Sequence, residues 1–494
     1  MLEAIARLAI RAPRRIIAVA LLILAGTAVF GIPAANSLSA GGFADPTADS
    51  AHAAQLLAGK FDQGDTQMLI TVSANSGAQG DAARAVGTDI VHQLHDSAHV
   101  VQVISPWTAP SSASGSLISE DGNTGLIVVG IAGDENAAQQ HAETLSNELV
   151  YDRDGVTVRA GGEAMAANQI NHQTQKDLKL MEFIAIPLSF LVLVWVFGGL
   201  VAAALPLAVG GLAIFGSMAV LRAITYATDV SIFTLNLSVA MGLALAIDYT
   251  LLILSRYRDE LANGVGHEEA LMRTMATAGR TVLFSALTVA LSMSVMVLFP
   301  MYFLKSFAYA GVAVVALAAV AAIVVTPAAI ALLGPRLDSL DIHRLLRKLL
   351  RRPEPGYRPV EQTFFYRLAK FAFRRAIPIG LAGSALLIAL GLPFSSAKWG
   401  MPDDRVLPTS SSARQVGDQL RTDFTDNLST NVTVVIPDAG GISAAELGRY
   451  AAQLSQVPAV LAVSAPDGTF VGDSVVGPPS APAAVTDGSA FLTV

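Results

Sequence analysis

Met241-Gly242-Leu243-Ala244-Leu245-Ala246-Ile247-Asp248-Tyr249-Thr250 decides the fold, because it lies within an apolar run over residues 230–255. A helix needs about 20 predominantly apolar residues to cross the hydrocarbon core of a bilayer. This run is long enough, and Asp248, well past its middle, is the carboxylate it carries. A carboxylate at such a depth costs roughly 2.5–3.5 kcal/mol on insertion scales and marks a functional site with a proton or cation partner. Working outward, the same count predicts spans over 16–32, 180–197, 200–221, 281–299, 304–333 and 376–394, seven in all. Pro187, Pro206 and Pro327 fall inside spans, where neighbouring helices re-satisfy the freed carbonyls.

Composition agrees. Of 494 residues 53% are apolar and 14% charged, against about 25% charged in an ordinary soluble domain. Intrinsic disorder, nucleic-acid binding and an ordinary soluble enzyme are excluded. Cysteine is absent, which removes disulfide frameworks, cysteine metal sites and thiol chemistry. The net charge of −7 matters less than where the basic residues sit. Arg7, Arg11, Arg14 and Arg15 precede the first span; Arg256, Arg258, Arg273 and Arg280 follow the fourth; residues 334–375 hold eleven Lys and Arg. All three groups share one side if the N-terminus is cytoplasmic, and the short opposite loops hold only Arg222 and Lys305. The expectation is a multi-pass protein of the cell inner (plasma) membrane with a cytoplasmic N-terminus.

Between the first two spans the segment 34–179 reads as strand 67–74, helix 80–95, strand 100–107, strand 124–132, helix 135–149 and strand 155–160, after a helix over 48–61. That order, βαββαβ, is the ferredoxin-like unit. It begins again after the seventh span: helix 410–424, strand 430–436, helix 443–454, strand 459–465 and a final run 490–494. Asp45-Pro46 through Phe61 matches Leu407-Pro408 through Phe424, and Arg14-Arg15 before the first span matches Arg374-Arg375 before the seventh. A basic leader, an apolar run and Pro33-Ala34-Ala35 would also suit a secretory signal peptide. Recurrence of the pattern in mid-chain favours a retained helix. The second unit reaches only its third strand at Val494, so its sheet is expected to keep an unpaired strand, to be closed by a complementing C-terminal chain or segment. The expected domains are 1–33, N-terminal segment and first span; 34–179, first porter domain; 180–333, spans two to six; 334–375, basic cytoplasmic segment; 376–394, seventh span; and 395–494, second and incomplete porter domain.

The chemistry centres on Asp248. Desolvation penalises the charged form of a carboxylate, which suits a group that takes a proton from one side and releases it to the other. Tyr249 brings a hydroxyl to the same depth and can hydrogen-bond a carboxylate. The competing reading is a buried Asp satisfied by Ser or Tyr that only fixes helix packing. Ser285 and Thr288 of the fifth span are further candidates for the relay, although hydroxyls in membrane helices commonly bond their own i−4 carbonyl. Gly242 and Ala246, with Ala244, permit close helix approach, a packing role. An intramembrane aspartyl protease needs two facing carboxylates. The eight His residues show no metal-ligand spacing, and no GxxxxGK[ST] phosphate loop occurs. No catalytic residue, metal or cofactor is expected. A lone intramembrane carboxylate in a helical repeat protein points to a secondary transporter driven by protons.

The run 241–260, with Gly-Leu-Ala-Leu-Ala-Ile-Asp-Tyr followed by Ser255-Arg256-Tyr257-Arg258-Asp259-Glu260, resembles the fourth-helix signature of the mycobacterial membrane protein large (MMPL) family, within the resistance–nodulation–cell division (RND) transporters. Glu268-Glu269-Ala270 through Ala278-Gly279-Arg280-Thr281-Val282-Leu283-Phe284-Ser285-Ala286 is similar to the family's loop and fifth helix. The resemblance implies a twelve-helix transporter with two periplasmic porter domains. Its proton relay uses one Asp-Tyr pair in the fourth helix and another in the tenth. Asp248 and Tyr249 match the first pair; the second has no counterpart among residues 1–494. The function implied is proton-motive-force-driven export of lipids or glycolipids to the cell envelope, by this chain or as the N-terminal part of an exporter. The alternative is an RND-fold membrane lipid receptor or assembly subunit that does not pump. The partners are then the membrane, protons and a lipid or glycolipid cargo.

Overall fold

The structure is a computed structural model that describes residues 1–39, 41–43, 45–61, 66–109, 114–133, 135–338, 364–397, 400, 402–424 and 431–494. Seven helical stretches are long and apolar enough to cross a membrane: Pro13–Ala34, Gly162–Phe197, Leu200–Ile224, Thr234–Ala262, His267–Leu298, Tyr302–Leu333 and Ala376–Ser396. Each contains or overlaps one span expected from composition. The second is longer than its apolar part because residues 163–179 contain no Gly or Pro to stop the helix. Of the basic segment 334–375, residues 339–363 lie outside the described residues.

The chain divides into a larger unit, Met1–Leu188, Leu205–Gly334 and Asp403–Val494, and a smaller one, Ser189–Ala204 and Pro335–Pro402. The larger unit opens with an amphipathic helix α1 (Leu2–Arg11), followed by α2 (Pro13–Gly31), with Pro13 pre-set for a first helical turn. Four long helices follow the first α/β domain: α6 (Gly162–Phe197), α7 (Leu200–Ile224), α8 (Thr234–Ala262) and α9 (His267–Ser294). α10 (Tyr302–Leu333) buries Ala308, Ala310, Gly311, Ala318 and Ala322, small residues that let α8 and α9 approach it closely. The smaller unit contains α11 (Phe364–Arg374), which carries Arg367, Lys370 and Arg374, and α12 (Ala376–Gly391).

The first α/β domain is the expected βαββαβ unit: β1 (Thr66–Ala74), α4 (Asp81–His95), β2 (Val100–Ile104), β3 (Thr124–Ile131), α5 (Glu135–Leu149) and β4 (Val156–Gly161). Its antiparallel sheet runs β2-β3-β1-β4. Side chains alternate between faces along a strand. Met68, Ile70, Val72, Ile127, Val129 and Ile131 form one core with Val86, Ile90 and Leu94 of α4 and Leu145 and Leu149 of α5. Leu69 and Leu126 point to the other face and are buried as well.

The second domain comprises β5 (Thr433–Ile436), α14 (Ala444–Leu454), β6 (Val463–Ala465), β7 (Gly468–Val471), β8 (Ser474–Gly477), β9 (Ala484–Thr486) and β10 (Ser489–Thr493). Ser443 and Glu446 close a capping box at the start of α14. β10 lies between β5 and β6 as β3 lies between β1 and β2, so it is the third strand of the repeat. The β7–β8 hairpin and β9 are additions absent from the sequence reading, where strands of three or four residues leave too short an alternation to detect.

The helices that precede the two domains are exchanged. α13 (Ser412–Asp423), which leads into the second domain, lies on the first sheet: Val416, Leu420 and Phe424 pack with Leu69, Leu117 and Leu126. A Cβ on Gly161 of β4 would stand 2.5 Å from Val416 Cβ, so this approach needs glycine. α3 (Asp49–Phe61), which leads into the first domain, reaches the second instead. Its Phe61 meets Phe491 edge-on at 4.9 Å, and Lys60 Nζ donates to Ser489 Oγ at 2.7 Å.

Candidate functional site

α8 has a buried side and an exposed side. Gly242, Ala246, Tyr249, Thr250, Ile253 and Tyr257 recur at helical spacing on the buried side. A Cβ on Gly242 would come 2.7 Å from Ile214 Cγ1 and 3.2 Å from Val314 Cγ2, so this residue seats α8 between α7 and α10. Ala246, fully buried, continues the seam toward Gly210 of α7. Asp248 lies on the opposite side with Ala244 and Ser255, exposed. The reading from sequence placed this carboxylate in the interior of the bundle. The helix phase set by Gly242 and Ala246 turns it outward.

Tyr249 is buried, and its Oη makes no hydrogen bond. Ser285 of α9 and the neighbouring Asp248 lie near that hydroxyl. The structure therefore brings Asp248, Tyr249 and Ser285 into one neighbourhood. Thr288 is engaged elsewhere: its Oγ1 donates to Phe284 O at 2.9 Å, the i−4 bond of a hydroxyl in a helix interior.

Two turns beyond, the α8–α9 hairpin is braced by groups within the quoted signature. Tyr257 Oη and His267 Nδ1 are 2.8 Å apart. Glu260, buried, pairs with Arg256 at 2.6 Å and Arg273 at 3.8 Å. A buried carboxylate flanked by two guanidiniums fixes this turn, since removing either side leaves charge uncompensated.

A cavity of about 640 Å³ lies between the two α/β domains. Leu57, Val103, Ile104, Leu117, Val128 and Phe491 supply apolar wall; Gln67, Gln102 and Asn431 supply amides, with several hydroxyls between them. Among the described residues none of its lining is ionisable. Leu57 of α3 forms part of its wall, and sequence reading missed it because no local pattern announces which domain a leading helix will join. On α13, Arg421 makes a forked pair with Asp404 (2.6 and 3.1 Å) and reaches Asp418 at 2.8 Å, while Arg414 reaches Asp418 at 2.7 Å. Hydrogen bonds from Arg421 and then Arg414 hold the Asp418 carboxyl below the usual carboxylate range.

A helix signature with an intramembrane Asp-Tyr pair, on a membrane bundle bearing two ferredoxin-like repeats, can be set beside known families. The model of the MMPL family matches residues 42–379. The chain belongs to the MMPL family. This MMPL chain is 33% identical over 415 residues to a membrane protein of Streptomyces coelicolor, covering 82% of this chain and 56% of that one. It is 30% identical over 436 residues to the trehalose monomycolate exporter of Mycolicibacterium smegmatis, covering 82% of this chain and 42% of that one. It is 28% identical over 389 residues to a mycolic acid-containing lipids exporter of the same species, covering 76% and 38%. The chain thus spans about half the length of the curated relatives it matches. A heavy metal efflux pump of known structure is similar at TM-score 0.36 and 16% identity over 53% of this chain and 35% of that one, too slight a likeness to carry an argument. Seven apolar helices and membership of this family make the chain a multi-pass membrane protein.

Proposed function

We propose that this MMPL chain exports a lipid or glycolipid to the cell envelope, alone or as part of a longer exporter, and that the proton-motive force drives it. The observation that carries the reading is the carboxylate–hydroxyl pair Asp248–Tyr249 within a span, beside Ser285. An ionisable group inside a membrane helix is costly unless it serves a proton or ion path. Asp248 carries the proton in this reading; Tyr249 and Ser285 position and relay it, and Thr288 contributes only on releasing its bond to Phe284. The cavity between the α/β domains suits the cargo: its apolar wall takes an acyl chain, and its amides and hydroxyls take an uncharged polar headgroup. Relatives named as exporters of trehalose monomycolate and of mycolic acid-containing lipids support that class. We place the protein in the inner membrane with a cytoplasmic N-terminus.

Lipid efflux in energised membrane vesicles carrying the protein tests this. Asp248→Asn is expected to reduce efflux to that of vesicles lacking the protein. Tyr249→Phe is expected to reduce it about 2- to 10-fold, the worth of one hydrogen bond formed to the relay only as the proton moves. A protonophore should reproduce the effect of Asp248→Asn in the wild type. Undiminished efflux by Asp248→Asn would remove the mechanism, and lipid binding without efflux under every condition would favour a receptor.

A further inference from the structure

An open depression of about 540 Å³, sharing no residue with the cargo cavity, lies where α6 leaves the α/β domains. Gln169, Gln173 and Gln175 of α6 line it, half-buried, with Ser411 just ahead of α13. Lys176 and Lys179 complete its rim and are exposed. Its carboxylate, Glu143 of α5, is already engaged: it faces His172 Nε2 at 3.2 Å and accepts from Asn168 at 3.0 Å. Among the described residues neither lysine has an ion-pair or hydrogen-bond partner. Residues three apart on a helix share a face, so the two ammonium groups address one ligand.

What lies one turn further along says which ligand. Leu180 and Ile184 follow Lys176 at successive i+4 steps, 58% and 54% exposed, and Phe183 follows Lys179, 78% exposed. Each lysine thus stands at the head of an apolar track that enters the membrane span. Lysine buries its stem against such surface while keeping its charge at the headgroup level. We propose that this depression is a headgroup site for an anionic phospholipid, its phosphate held by Lys176 and Lys179 and its acyl chain laid along Leu180, Phe183 and Ile184. Gln173, which donates to Asp177 Oδ1 at 2.9 Å, and Gln169 are the weaker contributors, because Gln169 already donates to Ser412 Oγ at 2.7 Å and accepts from Ala413 N at 3.1 Å. Through those bonds the site touches α13, so a bound lipid would also steady the helix that crosses onto the first sheet.

A free phosphate offers the same charge but gains nothing from the apolar track. The test is native mass spectrometry of the protein released from nanodiscs of phosphatidylcholine with phosphatidylglycerol as minor component, with and without inorganic phosphate. Phosphatidylglycerol should be retained in preference to phosphatidylcholine, and retention should be indifferent to millimolar phosphate. Retention should fall about thirty-fold in K176Q/K179Q, roughly fivefold for each basic residue near an anionic headgroup, and persist in K176R/K179R. Equal retention of the two lipids, equal retention by wild type and K176Q/K179Q, or displacement by inorganic phosphate would each overturn the proposal. Because both substituted lysines are exposed, an unchanged thermal transition in both variants excludes misfolding as the cause.

Discussion

Asp248 and Gly242 sit on opposite sides of the same helix, and substitutions at the two should fail in different ways. A methyl group on Gly242 enters space held by Ile214 and Val314; overpacking of this kind costs about 1–3 kcal/mol. Gly242→Ala should therefore lower the thermal transition in detergent, with transport falling only as the protein unfolds. Asp248→Asn, at an exposed position, should leave that transition within about 0.5 kcal/mol while abolishing efflux. Matching losses of stability in both variants would reduce Asp248 to a packing residue. Outside the membrane, Asp418 supplies a pH test. Its folded-state carboxyl is held below the ordinary 3.8 by Arg421 and Arg414. A lowered folded value stabilises the native state above the unfolded value, and that contribution is lost as pH falls through the lowered one. Amide protection of α13 should weaken below about pH 3.8, and Asp418→Asn should remove that pH dependence; a transition unmoved by the substitution would assign acid loosening to another group.

At the scale of elements, the two sheets differ in how their first strands are held. β1 is paired on both sides, by β3 and β4. β5 pairs with β10 alone among the described residues. Amide hydrogens on the open edge of Thr433–Ile436 should exchange faster than those of β1, by about 100-fold or more if that edge frays locally. Equal protection would mean that another segment covers β5. The strands, helices and spans were legible because each is announced by a local period or by length. The exchange of α3 and α13 was not: residues 45–61 and 407–424 carry the same pattern, so nothing in either sequence says which sheet it will cover. Leu69 and Leu126 held the available signal. Burial on both faces of β1 and β3 leaves near-continuous apolar runs, Met68 to Val72 and Leu126 to Val129, which require a cover beyond α4 and α5. The candidate pair Asp248–Tyr249 was legible from its cost in a membrane; the side of α8 that carries it depended on contacts with α7 and α10.

For the molecule as a whole, the exchanged helices constrain its path through the membrane. α13 rests on β1 and β4, so the segment after the last span and the domain after the first must share one side of the bilayer. Six of the seven candidate spans lie between them in the chain, and an even number of crossings returns it to the same side. Packing and span count are independent observations, and their agreement argues that all six cross. The side proposed above rests on charge: the α8–α9 loop is flanked by Arg256, Arg258 and Arg273, and short loops rich in Lys and Arg tend to stay cytoplasmic. The absence of native cysteine makes the question clean. In intact cells a membrane-impermeant thiol reagent should label Asn147→Cys, at an exposed position of α5, and leave Asn263→Cys, exposed between α8 and α9, unlabelled until the membrane is breached. The reverse pattern would invert the orientation. Labelling of both positions in intact cells would break the parity argument, because it would require that one of the apolar helices between the domains does not span.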